Sequence, residues 1–163
     1  MYNVVGIGEG AKNLIESFGQ YREYKTYHLG EDVLGDFSSM ADYESNFSVT
    51  AVKKVLKGID ENSEVLYIVE GGGDITGVSL RILDILKKAS VTILYIIPDR
   101  NVLNEQEREN EDLTFRAFQD IVRSGALKQI ILIDLERVET FLGDIPLENY
   151  DKVLAHNIVN TFA

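Results

Sequence analysis

The chain has 163 residues, enough for one domain with a substantial core. Apolar residues make up 45% of it, and the formal net charge is −11. That composition predicts a folded globular protein, and the negative field argues against nucleic acid or an anionic membrane as partner. There is no cysteine, which removes disulfides, thiolate catalysis and Cys-based metal sites and fits a reducing, cytoplasmic setting. The opening "MYNVVGIGEG" lacks the basic-then-apolar pattern of a signal peptide. No apolar run reaches the ~20 residues of a membrane span.

Short β-branched runs alternate with longer amphipathic stretches. The chain opens with "NVVGIG", a strand over 3–8, followed by a short helix over 11–18. "EYKTYHL" gives a second strand over 23–29, and Val49, Val52, Val55 and Leu56 mark a helix over 48–56. "EVLYIVE" is a third strand over 64–70. Val78, Leu80, Ile82, Leu83, Ile85 and Leu86 then give a helix over 76–88. "VTILYII" is a fourth strand over 91–97, ended by Pro98. The charged segment 99–112 reads as a loop and a solvated first helical turn, with the helix running over 105–123. "QIILIDL" supplies a fifth strand over 129–135. A last helix is expected over 147–162, with Tyr150, Val153, Leu154, Ile158 and Val159 on one side. Three strands are almost continuously apolar, as in strands covered on both faces. The expected fold is therefore an α/β three-layer sandwich with a mainly parallel, Rossmann-like sheet.

Two strand ends are rich in glycine: "GIGEGAKN" after the first strand and "GGGDITG" after the third. Ligands of open parallel sheets bind at such carboxyl ends. Glycine lets the backbone approach an anion, and unpaired N–H groups can cradle it. Each loop alone also reads as a tight turn. "GIGEGA" lacks the third glycine of G-x-G-x-x-G, and there is no P-loop Lys followed by Ser or Thr. The two histidines, His28 and His156, are far apart in sequence and read as structural or exposed. Ser38 and Ser39 lack the context of a nucleophile elbow.

Taken in order, these features resemble the nucleotide-binding domain of the tubulin/FtsZ superfamily. "VVGIGEGAKNLIE" is similar to its first strand and glycine loop ending in Asn. "GGGDITG" resembles its GGGTG[ST]G signature, and "VTILYIIP", "IILIDLERV" and "NYDKVLAHNIVN" follow in the family's order. The resemblance covers nearly the whole chain and implies a GTP-binding domain of a filament-forming, self-associating protein. It implies that Gly8, Gly10 and Ala11 line the α/β-phosphate side and that Asn13 approaches the guanine. Gly71, Gly72, Gly73, Asp74, Thr76 and Gly77 would form the main phosphate loop. Arg108 would reach the sugar or phosphate, with Tyr150 and Asn157 at the base. GTP or GDP, with Mg²⁺, is the implied ligand, and no catalytic residue is assigned.

The sequence also departs from the family. Asp74 stands where the signature has Thr, and a carboxylate close to a phosphate is repulsive. Asp74 reads either as a cap of the next helix or as a metal or ligand contact. Ile75 replaces a glycine, which predicts a backbone unsuited to φ > 0 and a crowded loop. Glu9 adds negative charge, offset locally by Lys12. The family's second domain, with its hydrolysis-activating loop, has no counterpart in residues 1–163. The chain is thus expected to be one nucleotide-binding-type domain, either part of a longer protein or a reduced relative, without efficient hydrolysis of its own. The alternative reading is a degenerate tubulin-like module that binds no nucleotide and serves in assembly. A small Rossmann-type binder using "GIGEG" is a third, opposed by the lack of a clear acidic residue ending the second strand.

Overall fold

The computed structural model describes residues 2–125, 127, 129–137, 153, 156, 157 and 160. Five strands form one sheet: β1 (Tyr2–Ile7), β2 (Tyr24–Leu29), β3 (Glu64–Glu70), β4 (Ser90–Ile97) and β5 (Gln129–Asp134). All neighbours are parallel, in the order β2-β1-β3-β4-β5. The expected α/β fold with a parallel sheet is therefore present.

Side chains alternate across this sheet with period two. Val5, Ile7, Val65, Tyr67, Val69, Ile93 and Tyr95 face one core; Val4, Leu66, Ile68, Leu94 and Ile96 face the other. The second core is covered by α1 (Lys12–Phe18) through Leu14, Ile15 and Phe18. The first is covered by α2 (Glu31–Leu34), α3 (Met40–Ser45), α4 (Val49–Val55), α5 (Ser79–Leu86) and α6 (Glu105–Arg123). Leu34, Tyr43, Val52, Ile82 and Phe118 are among the buried contributions of those five helices. Among the described residues, no helix is long and apolar enough to cross a membrane.

Helix boundaries follow local chemistry. The Ser48 hydroxyl accepts from the Ala51 N–H at 3.2 Å and starts α4. Asn104 and Glu107 form a reciprocal capping box that starts α6. The expected helix over 76–88 instead begins as a 3-10 turn, Asp74–Val78, before α5. The short helices α2 and α3 are not foreshadowed by periodicity; four and six residues are too few to show a 3.6-residue repeat. The expected last helix lies largely outside the described residues. Val153, His156, Asn157 and Asn160 are helical within it.

The order of the strands positions the site. The chain moves outward from β1 to β2 and returns to the other side of β1 for β3, β4 and β5. The reversal falls between β1 and β3, whose carboxyl ends carry the two glycine loops. Phe18 is fully buried beneath α1, with its ring 4.9 Å from that of Tyr24. Phe18→Ala is expected to cost about 3–5 kcal/mol in chemical denaturation, through the cavity it leaves beside β1.

Candidate functional site

The first loop leaves β1 through Gly8, which has φ +74°, a conformation that disfavours a side chain. The Gly8 N–H donates to the Leu29 carbonyl at 3.1 Å. The Nε2–H of His28 donates to the Gly8 carbonyl at 2.7 Å. His28, at the end of β2, thus acts as a brace for the loop. Residues Glu9–Ala11 make a 3-10 turn into α1.

The second loop leaves β3 through Gly71, whose N–H donates to the Ile96 carbonyl at 3.1 Å. A side chain on Gly71 would collide with the Tyr95 hydroxyl and with Glu111. Gly72 has φ +104°, and Gly73 precedes the Asp74–Val78 turn. The Thr76 hydroxyl donates to the Gly73 carbonyl at 2.7 Å, closing that turn.

Helix α6 clamps this loop from above. Asn110, 2% exposed, donates through Nδ2 to the Gly72 carbonyl at 3.1 Å and to Asp74 Oδ1 at 3.0 Å. Thr114 Oγ1 donates to Thr76 Oγ1 at 3.3 Å. Glu111 is also buried; it accepts from the Tyr95 hydroxyl at 3.3 Å and from Arg100 at 2.6 Å. Burial pushes the Glu111 carboxyl above its ordinary range, against the pull of Arg100 and of the Tyr95 hydroxyl. Burial, reinforced by Glu111, also pushes the Tyr95 phenol up. The charged segment 99–112, expected as a loop and a solvated first helical turn, therefore carries two buried loop-holding residues, Asn110 and Glu111, with Thr114 just beyond it. The signal was available in the spacing: Asn110, Glu111 and Thr114 continue the helical stripe of buried Phe118.

Two adjoining cavities open at the carboxyl edge. One, of about 420 Å³, lies between Gly8, Gly10, Gly71 and Gly73 and is walled by Pro98 and Leu103. The other, of about 310 Å³, lies beside Gly30, Asp36 and Asp74. Gly8, Glu9 and Ile75 line both. The described charged residues lining the two are all acidic: Glu70, Asp99 and Glu107 in the first, Glu31, Asp36 and Asp74 in the second, with Glu9 shared. No lysine or arginine among the described residues lines either one. These carboxylates are too dispersed to make a metal cage; no described cluster of three or more ligating side chains exists.

Two side chains occupy the approach to the glycines. The Glu70 carboxylate lies against Gly10, so closely that a methyl group there would collide with it. The Ile75 Cγ2 methyl lies 3.0 Å from where a Gly8 Cβ would be. Ile75 takes no positive φ, so the expected backbone conflict does not arise; its effect is the bulk of its side chain. Nor does Asp74 make a helix-capping bond: its carboxylate accepts instead from Asn110, which α6 brings within reach. A phosphate group would meet carboxylates and a branched side chain here rather than a compensating cation.

The remaining residues implied by the resemblance divide by location. Ala11 and Thr76 are buried under the loops, and Gly77 abuts the Met40 backbone. Asn13 is exposed on α1. Arg108 is exposed, is not part of either cavity wall, and donates from Nε to the Arg100 carbonyl at 3.0 Å. Asn157 is helical and exposed, and Tyr150 lies outside the described residues.

Removing the clamp is expected to loosen the second loop. Asn110→Ala leaves the Gly72 carbonyl and the Asp74 carboxylate without their shared donor and should cost about 1–3 kcal/mol, with faster amide exchange at Gly72–Asp74 by NMR. Because the folded Glu111 pKa is raised above the unfolded carboxylate value of about 4.3, its contribution to stability is largest below that value. It is lost as pH rises through the raised value. Glu111→Gln should therefore flatten the dependence of Tm on pH across that window, which a series of thermal melts would show.

Comparison with protein-family models gives no match, and neither does comparison with curated proteins. Solved structures do match. The crystal structure of Clostridium botulinum phage c-st TubZ aligns with a TM-score of 0.65 at 15% identity, over 95% of this chain and 56% of that one. An empty FtsZ dimer from M. jannaschii aligns with a TM-score of 0.64 at 13% identity, over 98% of this chain and 53% of that one. The chain thus spans about half the length of either structure. With a parallel sheet reversing between two glycine loops and these alignments over nearly all of its length, the chain has the fold of the tubulin/FtsZ superfamily.

Proposed function

We propose that this chain is an assembly module of the tubulin/FtsZ type, cytoplasmic and self-associating, whose phosphate cradle is closed by its own side chains. The observation that carries this reading is the Glu70 carboxylate seated against Gly10, beside an Ile75 side chain seated against Gly8. Two like charges about 4 Å apart repel by roughly 4 kcal/mol at an effective dielectric constant near 20. A nucleotide phosphate entering between the loops would meet that repulsion from Glu70 and further repulsion from Glu9 and Asp74. No described lysine or arginine in the cavity walls offsets it.

A second reading keeps a guanine-nucleotide site. It is favoured by the positive φ of Gly8 and Gly72 and by the cavity of about 420 Å³ between the loops. In that reading GTP or GDP lies along Gly8, Gly10, Ala11 and Gly71–Gly73, with Mg²⁺ offsetting the carboxylates. Asn13, Arg108, Tyr150 and Asn157 then serve the sugar and base, and hydrolysis relies on groups outside this domain.

Calorimetric titration with GTP and GDP, with and without Mg²⁺, separates the two. The closed-cradle reading expects no binding below millimolar nucleotide. It also expects Glu70→Ala combined with Asp74→Thr and Ile75→Gly to gain at least tenfold in affinity, about 1.4 kcal/mol. Micromolar binding by the unaltered chain would establish the nucleotide reading instead.

A further inference from the structure

Five basic side chains of this acidic protein line one groove away from the glycine loops. A groove of about 640 Å³ runs along α4 and α5 and the residues that follow each helix. Among the described residues, its walls carry Lys53, Lys57, Arg81, Lys87 and Lys88 against a single carboxylate, Asp84. Asp84 is paired with Lys87 at 2.8 Å, and Arg81 lies over the Phe47 ring. Lys53, Lys57 and Lys88 are left without an ion pair among the described residues. Val49, 37% exposed, and the half-buried Ile85 add an apolar wall. Such a groove fits a convex surface that is acidic and carries an apolar side chain.

The same chain presents that surface. On α6, Glu105, Glu109 and Leu113 recur every four residues and form one outward stripe. Leu113 is 58% exposed, the largest exposure of a large apolar side chain among α1–α6. Glu105 and Glu109 are exposed and make no ion pair among the described residues. The stripe is about 12 Å long at 1.5 Å per residue. The cavities beside the glycine loops are acidic too, but they are concave and cannot enter a groove.

We infer that the α4/α5 groove takes helix α6 of a second copy of this chain. Glu105 and Glu109 face Lys53, Lys57 and Lys88, and Leu113 packs against Val49 and Ile85, in the helix-in-groove manner. Groove and stripe are different surfaces of one molecule. The contact is therefore heterologous and adds copies in sequence, into a ring or an open filament. Extended polyanions are disfavoured as occupants because the remainder of the protein is strongly negative. This inference rests on the assembly reading above and assigns it a surface.

The test is sedimentation of the full chain over a concentration series, at about 0.05 M and about 0.5 M salt. Concentration-dependent association that weakens at the higher salt is expected. Lys53→Glu with Lys57→Glu, and separately Glu105→Lys with Glu109→Lys, should each leave folded monomers by circular dichroism. Mixing these two variants should restore association, because the native groove meets the native stripe and the reversed pair is complementary too. Leu113→Ser should weaken association about tenfold without changing charge. Association indifferent to both charge reversals would overturn this surface while leaving assembly intact. A chain monomeric throughout would overturn the surface and the assembly reading together. Binding of a labelled polyglutamate peptide or oligonucleotide in the groove of such a monomer would assign it to a foreign partner.

Discussion

Everything at the candidate site depends on the reversal of strand order between β1 and β3. A parallel sheet sends every strand the same way, so all carboxyl ends share one edge. The loop after β1 leads toward one face through α1, while the chain after β3 leads to the other through α5. The two loops therefore diverge, and a gap is left between them. The glycines allow backbone to line that gap closely. Gly8 and Gly72 do so in conformations that side chains rarely adopt.

What fills the gap is decided by a few side chains held by neighbours far away in sequence. Asp74 is tied to Asn110, Thr76 to Thr114, and Gly71 lies under Tyr95 and Glu111. The loop is thus set by α6 as much as by its own sequence. Because Asn110 and Glu111 are buried, each needs its partner, and loss of either end exposes an unpaired polar group to a poor environment. The charge pattern extends this division over the molecule. Carboxylates line the edge with the glycines, and lysines line the α4/α5 groove. Two regions of one fold thus carry linings of opposite charge among the described residues.

The central strands β1, β3 and β4 were legible in the sequence because burial on both faces demands continuous apolar, β-branched runs, while the edge strands β2 and β5 are more exposed. All five appear within a residue or two of their expected bounds. The parallel sheet followed from their alternation with helices. The location of the glycine loops was legible for the same reason, since a glycine cluster directly after an apolar run marks a strand end. The helices α2 and α3 were not, because they are too short to carry a period. Asn110 and Glu111 were hidden within a charged segment, and Thr114 lies just beyond it; there composition suggests solvent and only the helical spacing says otherwise.

The sequence by itself determined the sheet, the two loops and the presence of Asp74 and Ile75 in the second of them. These depend on local pattern and on residue type, which a linear chain displays in full. Only the tertiary structure decided what those residues do. It turned Asp74 toward Asn110 rather than into a helix cap, gave Ile75 an ordinary backbone but an obstructive side chain, and laid Glu70 across Gly10. Each of these is a meeting of groups from different elements. Contact across the fold depends on the packing of helices on the sheet, which no local stretch of sequence records.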